Sequence, residues 1–141
     1  MKKISFITAL LFSSLVHSQT TPPIQWQKNY GGSGQDYFSA SAQTPDGGFI
    51  MQGITSSADG DATGNHGGVD LLVVKTDASG NTIWKKVYGS TGFENKGNIL
   101  NTPDGGYLMG ATCAANNGDV SGNHGFDDFW IVKLDNNGNI Q

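Results

Sequence analysis

The stretch TPDGGF at 44–49 returns as TPDGGY at 102–107, and the residues around it return with it. Laid side by side without gaps, residues 26–83 and 84–141 agree at 23 of 58 positions. WQKNYGGSG is matched by WKKVYGSTG, GDATGNHG by GDVSGNHG, and VKTDASGN by VKLDNNGN. A period of this length limits the fold to units that each form one supersecondary motif and bury their apolar faces against one another.

Within each unit the pattern is strand, turn, strand. Residues 37–44 and 49–56 flank PDGG, where glycine supplies the positive φ that tight hairpin turns need. A loop rich in Gly, Asp and Asn follows, and then the unbroken apolar runs LLVV at 71–74 and FWIV at 129–132. A short apolar run between turn signals predicts a strand buried on both faces. DASGN then turns the chain into TIWKKVY, so the strands expected are 37–44, 49–56, 70–76 and 82–88, with equivalents 58 residues later. All 21 glycines follow residue 30, and no segment after residue 18 shows a capped helical period.

The expected fold is therefore all-β: two tandem 58-residue repeats, each a four-stranded antiparallel sheet like the blade of a β-propeller. The repeats are 26–83 and 84–141, after a lead-in at 19–25. The strand IQWQKNY opens the chain and its equivalent would follow Gln141, so the repeat boundary is offset from the blade boundary. Two blades cannot close a ring and would leave Phe129 and Ile131 in water, so a fragment of a larger propeller, or self-association through the exposed blade faces, is expected. A sandwich of two four-stranded sheets is the alternative at this length.

Residues 1–18 carry two lysines, an apolar run from Ile4 to Val16 and small residues suited to a signal peptidase, which reads as a cleaved export signal. The run is shorter than the roughly 20 residues a membrane span needs. The expected location is secreted or outer cell surface, or periplasmic for a truncated form, without membrane insertion after cleavage. Loss of Lys2 and Lys3 takes the net charge from −4 to −6, and there is no arginine. Nucleic acid is thus not an expected partner. Cys113 is the sole cysteine, so no disulfide can form within the chain.

The loop DGDATGNHGGVD at 59–70 invites a chemical reading. Asp59, Asp61 and Thr63 fall at positions 1, 3 and 5 of a calcium-loop spacing, a glycine at position 6, and Asp70 at position 12, with Asn65 between them. Asn117, Asp119, Ser121, Asn123 and Asp128 keep that spacing in the second repeat. Calcium wants six to eight oxygens, which alternating short side chains supply. The alternative is a loop of Asx turns in which the same side chains cap their own backbone. His66 and His124 are read as hydrogen-bonded loop residues, since one His per repeat is too few for a transition metal. No nucleophile and base pair stands out, and Asp127 and Asp128 as strand neighbours face opposite sides. Trp26, Trp84 and Trp130, with Tyr30 and Tyr88, could stack on sugars, though their place on strands fits packing between repeats. GGSG and GSTG precede no helix, so a phosphate loop is not expected.

The combined pattern of W-x-K-x-Y-G, T-P-D-G-G-[FY], G-D-x-[TS]-G-N-H-G and V-K-x-D-x-x-G-N resembles the tandem repeats of secreted Bacteroidota proteins that usually end in a type IX secretion sorting domain. The resemblance spans about 24–141. It implies a propeller-like region on an exported or surface-attached protein. Family members tend to carry more repeats, and no sorting domain is seen in these residues. The function expected is a binding or scaffold module for a protein or glycan ligand; the alternatives are a structural spacer and part of a glycan-processing protein.

Overall fold

The computed structural model describes residues 21–141, and the expected export signal lies outside them. The described chain is all-β, with strands β1 (Asp36–Gln43), β2 (Phe49–Thr55), β3 (Asp70–Thr76), β4 (Thr82–Tyr88), β5 (Asn95–Asn101), β6 (Tyr107–Cys113) and β7 (Asp128–Leu134). They form a four-stranded sheet in the order β1-β2-β3-β4 and a three-stranded sheet in the order β5-β6-β7, every pair antiparallel. The first sheet takes its fourth strand from across the repeat boundary at 83/84, the second lies within the second repeat, and the strands fall within about a residue of those expected. The only helical residues described are one 3₁₀ turn at Gly60–Ala62, and no described helix is long and apolar enough to cross a membrane.

TPDGG recurs because its Thr, its Asp and its two glycines have separate tasks in the β1–β2 and β5–β6 hairpins. Gly47 and Gly105 both adopt φ of 83°, a region that other residues enter at a cost. At Gly48 a Cβ would stand 2.1 Å from the Thr76 carbonyl oxygen of β3, and at Gly106 2.2 Å from that of Leu134, so the turn leaves no room for a side chain. Asp46 accepts from the Thr44 hydroxyl and from the Gly48 amide at 3.0 Å, then receives the buried Lys75 ammonium at 2.8 Å. Asp104 and Lys133 repeat that pair at 2.8 Å. In both repeats the turn is thus tied to its own third strand.

The second repeat departs from the expected four strands. Only Ile140 bridges back to Leu134, occupying the place that Thr82 holds against Thr76 in the first repeat. The two apolar runs also differ. Every residue of β3 is buried, whereas in β7 Phe129 is 90 % and Ile131 62 % exposed while Trp130 and Val132 are buried. FWIV is therefore buried on one face only among the described residues. The run specifies an apolar strand, and its neighbours decide how many faces are covered.

Register fixes the faces. Ile50, Gln52, Leu71, Val73, Lys75, Trp84 and Tyr88 share one side of the first sheet, its front, and Phe49, Met51, Leu72 and Val74 share its back. On the second sheet the equivalent front holds Leu108, Phe129 and Ile131, and the back holds Tyr107, Met109, Trp130 and Val132. The core joins the front of the first sheet to the back of the second: Ile50, Leu71, Val73 and Tyr88 cluster with Ile99, Tyr107, Met109, Trp130, Val132 and Leu134. Each such side chain contributes roughly 1.5–3 kcal/mol by leaving water. β1 and β2 both lie against β5 across this junction.

Polar contacts set the stacking distance. Gln52 Nε2 donates to the Gly110 carbonyl at 3.4 Å, Asn101 Nδ2 to the Gln43 carbonyl at 2.8 Å, and the Tyr88 hydroxyl to the Gly138 carbonyl at 2.6 Å. The Trp84 ring meets Tyr107 edge-on at 6.1 Å and lies over Gly138, while its Nε1 donates to the Asn136 carbonyl at 3.1 Å. Trp26 makes the equivalent contacts one repeat earlier, 5.7 Å from Phe49 and over Gly80. Residues 24–30 thus stand where the fourth strand of a preceding sheet would stand, yet among the described residues they pair with no strand.

Candidate functional site

The segment 26–30 and the back of the first sheet enclose an open groove of about 310 Å³. Trp26, Tyr30 and Phe38 form its aromatic walls, Met51, Leu72 and Val74 its floor, and Lys28 and Asp36 supply charge at its margin. The apolar floor follows from strand alternation, since these residues face away from the core between the sheets. Of the aromatics singled out in the sequence, Trp26 and Tyr30 line this groove, while Tyr88 and Trp130 belong to the core and Trp84 packs against it.

The glycine turn beside it holds carboxylates of its own chain. Successive amides of Gly31, Gly32 and Ser33 donate to Asp61 at 3.1 Å, Asp36 at 2.9 Å and Asp59 at 2.7 Å, and those of Gly34 and Gln35 donate to the hydroxyls of Ser57 and Ser56. The second repeat copies the arrangement, with Gly89 on Asp119 at 3.1 Å, Ser90 on Glu94 at 3.0 Å and Thr91 on Asn117 at 2.8 Å. A run of converging amides is an anion site, and here the loop's acids fill it.

This divides the ten loop oxygens proposed from spacing. Asp59 and Asp61 turn to the 31–33 amides, and Asp61 also takes the Lys85 ammonium at 2.5 Å. Thr63 donates to the Gly60 carbonyl, Asn65 accepts from the Gly67 amide, and Asp70 accepts from the His66 amide at 2.5 Å and faces its Nδ1 at 3.0 Å. In the second loop Asn117 and Asp119 likewise grip the turn at 89–91, whereas Ser121, Asn123 and Asp128 line one cavity of about 220 Å³ with His124 and Cys113. Lys85 holds the Asp61 carboxyl below its ordinary value, the Ser33 amide does so for Asp59, and the His124 amide for Asp128. Among the described residues no three His, Cys, Asp or Glu side chains are grouped to hold a metal.

A second feature, at the junction of the repeats, was not expected from the sequence. Asp70 and Glu94 are both fully buried, and a Cβ on Gly89 would lie 2.4 Å from Asp70 Oδ1 and 2.5 Å from Glu94 Oε2. The Glu94 amide donates to the Val69 carbonyl at 2.6 Å, which brings the acids together, and the Ser90 hydroxyl donates to Glu94 Oε1 at 2.6 Å. Burial above all, and then Asp70, raise the Glu94 carboxyl above its ordinary 4.5 against the opposing Ser90 hydrogen bonds. A proton on Glu94 then has Asp70 Oδ1, otherwise without a partner, as its acceptor. His66 stands outside, with Nε2 3.6 Å from Asp119. The available sequence signal was an acid at both 36 and 94, hidden because one is Asp and the other Glu. Ser90 is itself fully buried, so this cluster binds the repeats together and presents no nucleophile.

No protein-family model matches the chain, and no curated protein matches its sequence.

Proposed function

We propose that the chain is a scaffold or binding module of an exported or cell-surface protein, built from β-propeller-like blades of the kind its repeats resemble. One observation carries this reading: the front of the first sheet packs on the back of the second, with Trp26 and Trp84 in equivalent places. Front-to-back stacking of equivalent sheets is how a repeat array grows, and how blades succeed one another around an axis. A sandwich of sheets paired by a two-fold axis would instead bring like faces together.

The aromatic groove gives such a module a surface for a protein or glycan ligand. A glycan array probed with the folded chain tests the binding role. Signals lost on Trp26→Ala and Phe38→Ala support it; a folded chain that retains nothing leaves the spacer reading, and polysaccharide turnover would contradict both. A calcium role for the two loops has the spacing of their oxygens behind it and the hydrogen bonds that turn Asp59 and Asp61 to the 31–33 amides against it, and calcium-dependent melting decides between them. Export is tested by fusing residues 1–25 to a reporter and asking whether it leaves the cytoplasm cleaved near Ser18.

A further inference from the structure

The outer edge of β7 and the segment 24–30 are complementary halves of one contact that the chain already makes within its first sheet. There β4 pairs with β3, placing Tyr88 opposite Leu71, Lys86 opposite Val73 and Trp84 opposite Lys75. Moved by one repeat, that ladder places Tyr30 opposite Phe129, Lys28 opposite Ile131 and Trp26 opposite Lys133. Residues 24–30 keep the W-x-K-x-Y pattern of β4, and among the described residues their backbone makes no hydrogen bond. Beyond the Ile140 bridge and the Gln141 amide on the Lys133 carbonyl, β7 has no described partner on its outer side.

The faces match as the edges do. Phe129, Ile131 and Leu100 are exposed on the front of the second sheet, the face through which the first sheet builds the core. The groove on the back of the first sheet is equivalent to the surface of Met109, Trp130 and Val132 that the core covers. Trp26 already holds the site on Phe49 and Gly80 that a stacked sheet's fourth strand would hold.

We propose that a second copy of this chain is the partner, docking head to tail. Residues 27–30 of one copy extend the second sheet of the other as an antiparallel fourth strand along 129–132, and the Phe129 and Ile131 side chains of that sheet seat in the groove. The proposal deepens the scaffold reading and rests on its front-to-back stacking. Because the two contact surfaces differ, association is heterologous and continues into an open chain or closes as a ring. Unpaired strand edges and exposed apolar faces are what such pairing removes from water.

Sedimentation of two complementary variants of the 141-residue chain tests it. Ile131→Asp spoils the accepting face and leaves the donor strand. Gln27→Pro with Lys28→Pro spoils the donor, since neighbouring amides point to opposite sides and one of the two prolines must remove a ladder bond. We expect wild type to form dimers and larger species at micromolar concentration, each variant alone to be monomeric with β-type circular dichroism, and their mixture to form a 1:1 dimer that grows no further. A folded wild-type monomer would overturn the proposal while leaving the blade reading intact. Oligomers that survive both changes, variants that do not combine, or a wild type unfolded at every concentration would overturn it too.

Discussion

Gly47 and Gly48 stand side by side in the turn and are needed for different reasons. Gly47 has φ of 83° and its added Cβ would only touch Ala78 at 3.7 Å, so Gly47→Ala should cost about 1 kcal/mol of backbone strain. Gly48→Ala drives a methyl group into the Thr76 carbonyl and should cost at least about 2 kcal/mol. Urea unfolding of the two variants checks the order, and equal losses would contradict it. Glu94 carries the other residue-scale prediction. Its raised carboxyl contributes stability that is full below its ordinary value of 4.5 and is lost as pH rises through the folded value. The carboxylates Asp46 and Asp104, lowered first of all by their lysines, act oppositely: their contribution is present above about pH 4 and lost as pH falls. A carbon-detected titration should place the Glu94 midpoint above 4.5, and a midpoint at or below that value would refute the buried acid pair.

At the scale of elements, the hairpins were the most legible part of the chain, because Gly-Gly after Asp and the alternating strands act locally. β3 and β7 were harder. LLVV and FWIV look alike as sequence, and what covers them separates full from half burial: β3 has the second sheet on its front and residues 26–30 over its back, whereas β7 has the first sheet on its back and exposed side chains on its front. Lys75 reads as an ordinary surface lysine, yet it is buried, because its ammonium reaches back to Asp46 in the hairpin turn. The loops at 59–70 and 117–128 were legible as oxygen-rich, but spacing alone does not reveal which way each oxygen turns. Asp59 and Asp61 face the amides of another turn, so an ion would have to displace Ser33, Gly31 and Lys85 to recruit them. We therefore expect the melting temperature to be the same in millimolar calcium and in chelator. A calcium-dependent rise that Asp61→Ala abolishes would show that the loop reorganises around an ion.

For the whole molecule, the repeat announced the architecture, while the direction of stacking emerged only from the faces. A count of apolar residues cannot say whether two like sheets meet front to front or front to back. That choice lies in particular contacts, such as Gln52 on the carbonyl of its own repeat equivalent Gly110 and Trp84 over Gly138, in which side chains on the front of the first sheet reach the second sheet. The glycine turns under the tryptophans and the buried acids at the junction serve that stack. The most direct test is the proton spectrum around the two tryptophans. Front-to-back stacking predicts that the α-protons of both Gly80 and Gly138 are shifted upfield by an indole ring, with nuclear Overhauser contacts from Trp84 to Tyr107 and from Trp26 to Phe49. Contacts between the backs of the two sheets instead, Met51 with Met109 or Val74 with Val132, and glycine α-protons at ordinary positions, would contradict it.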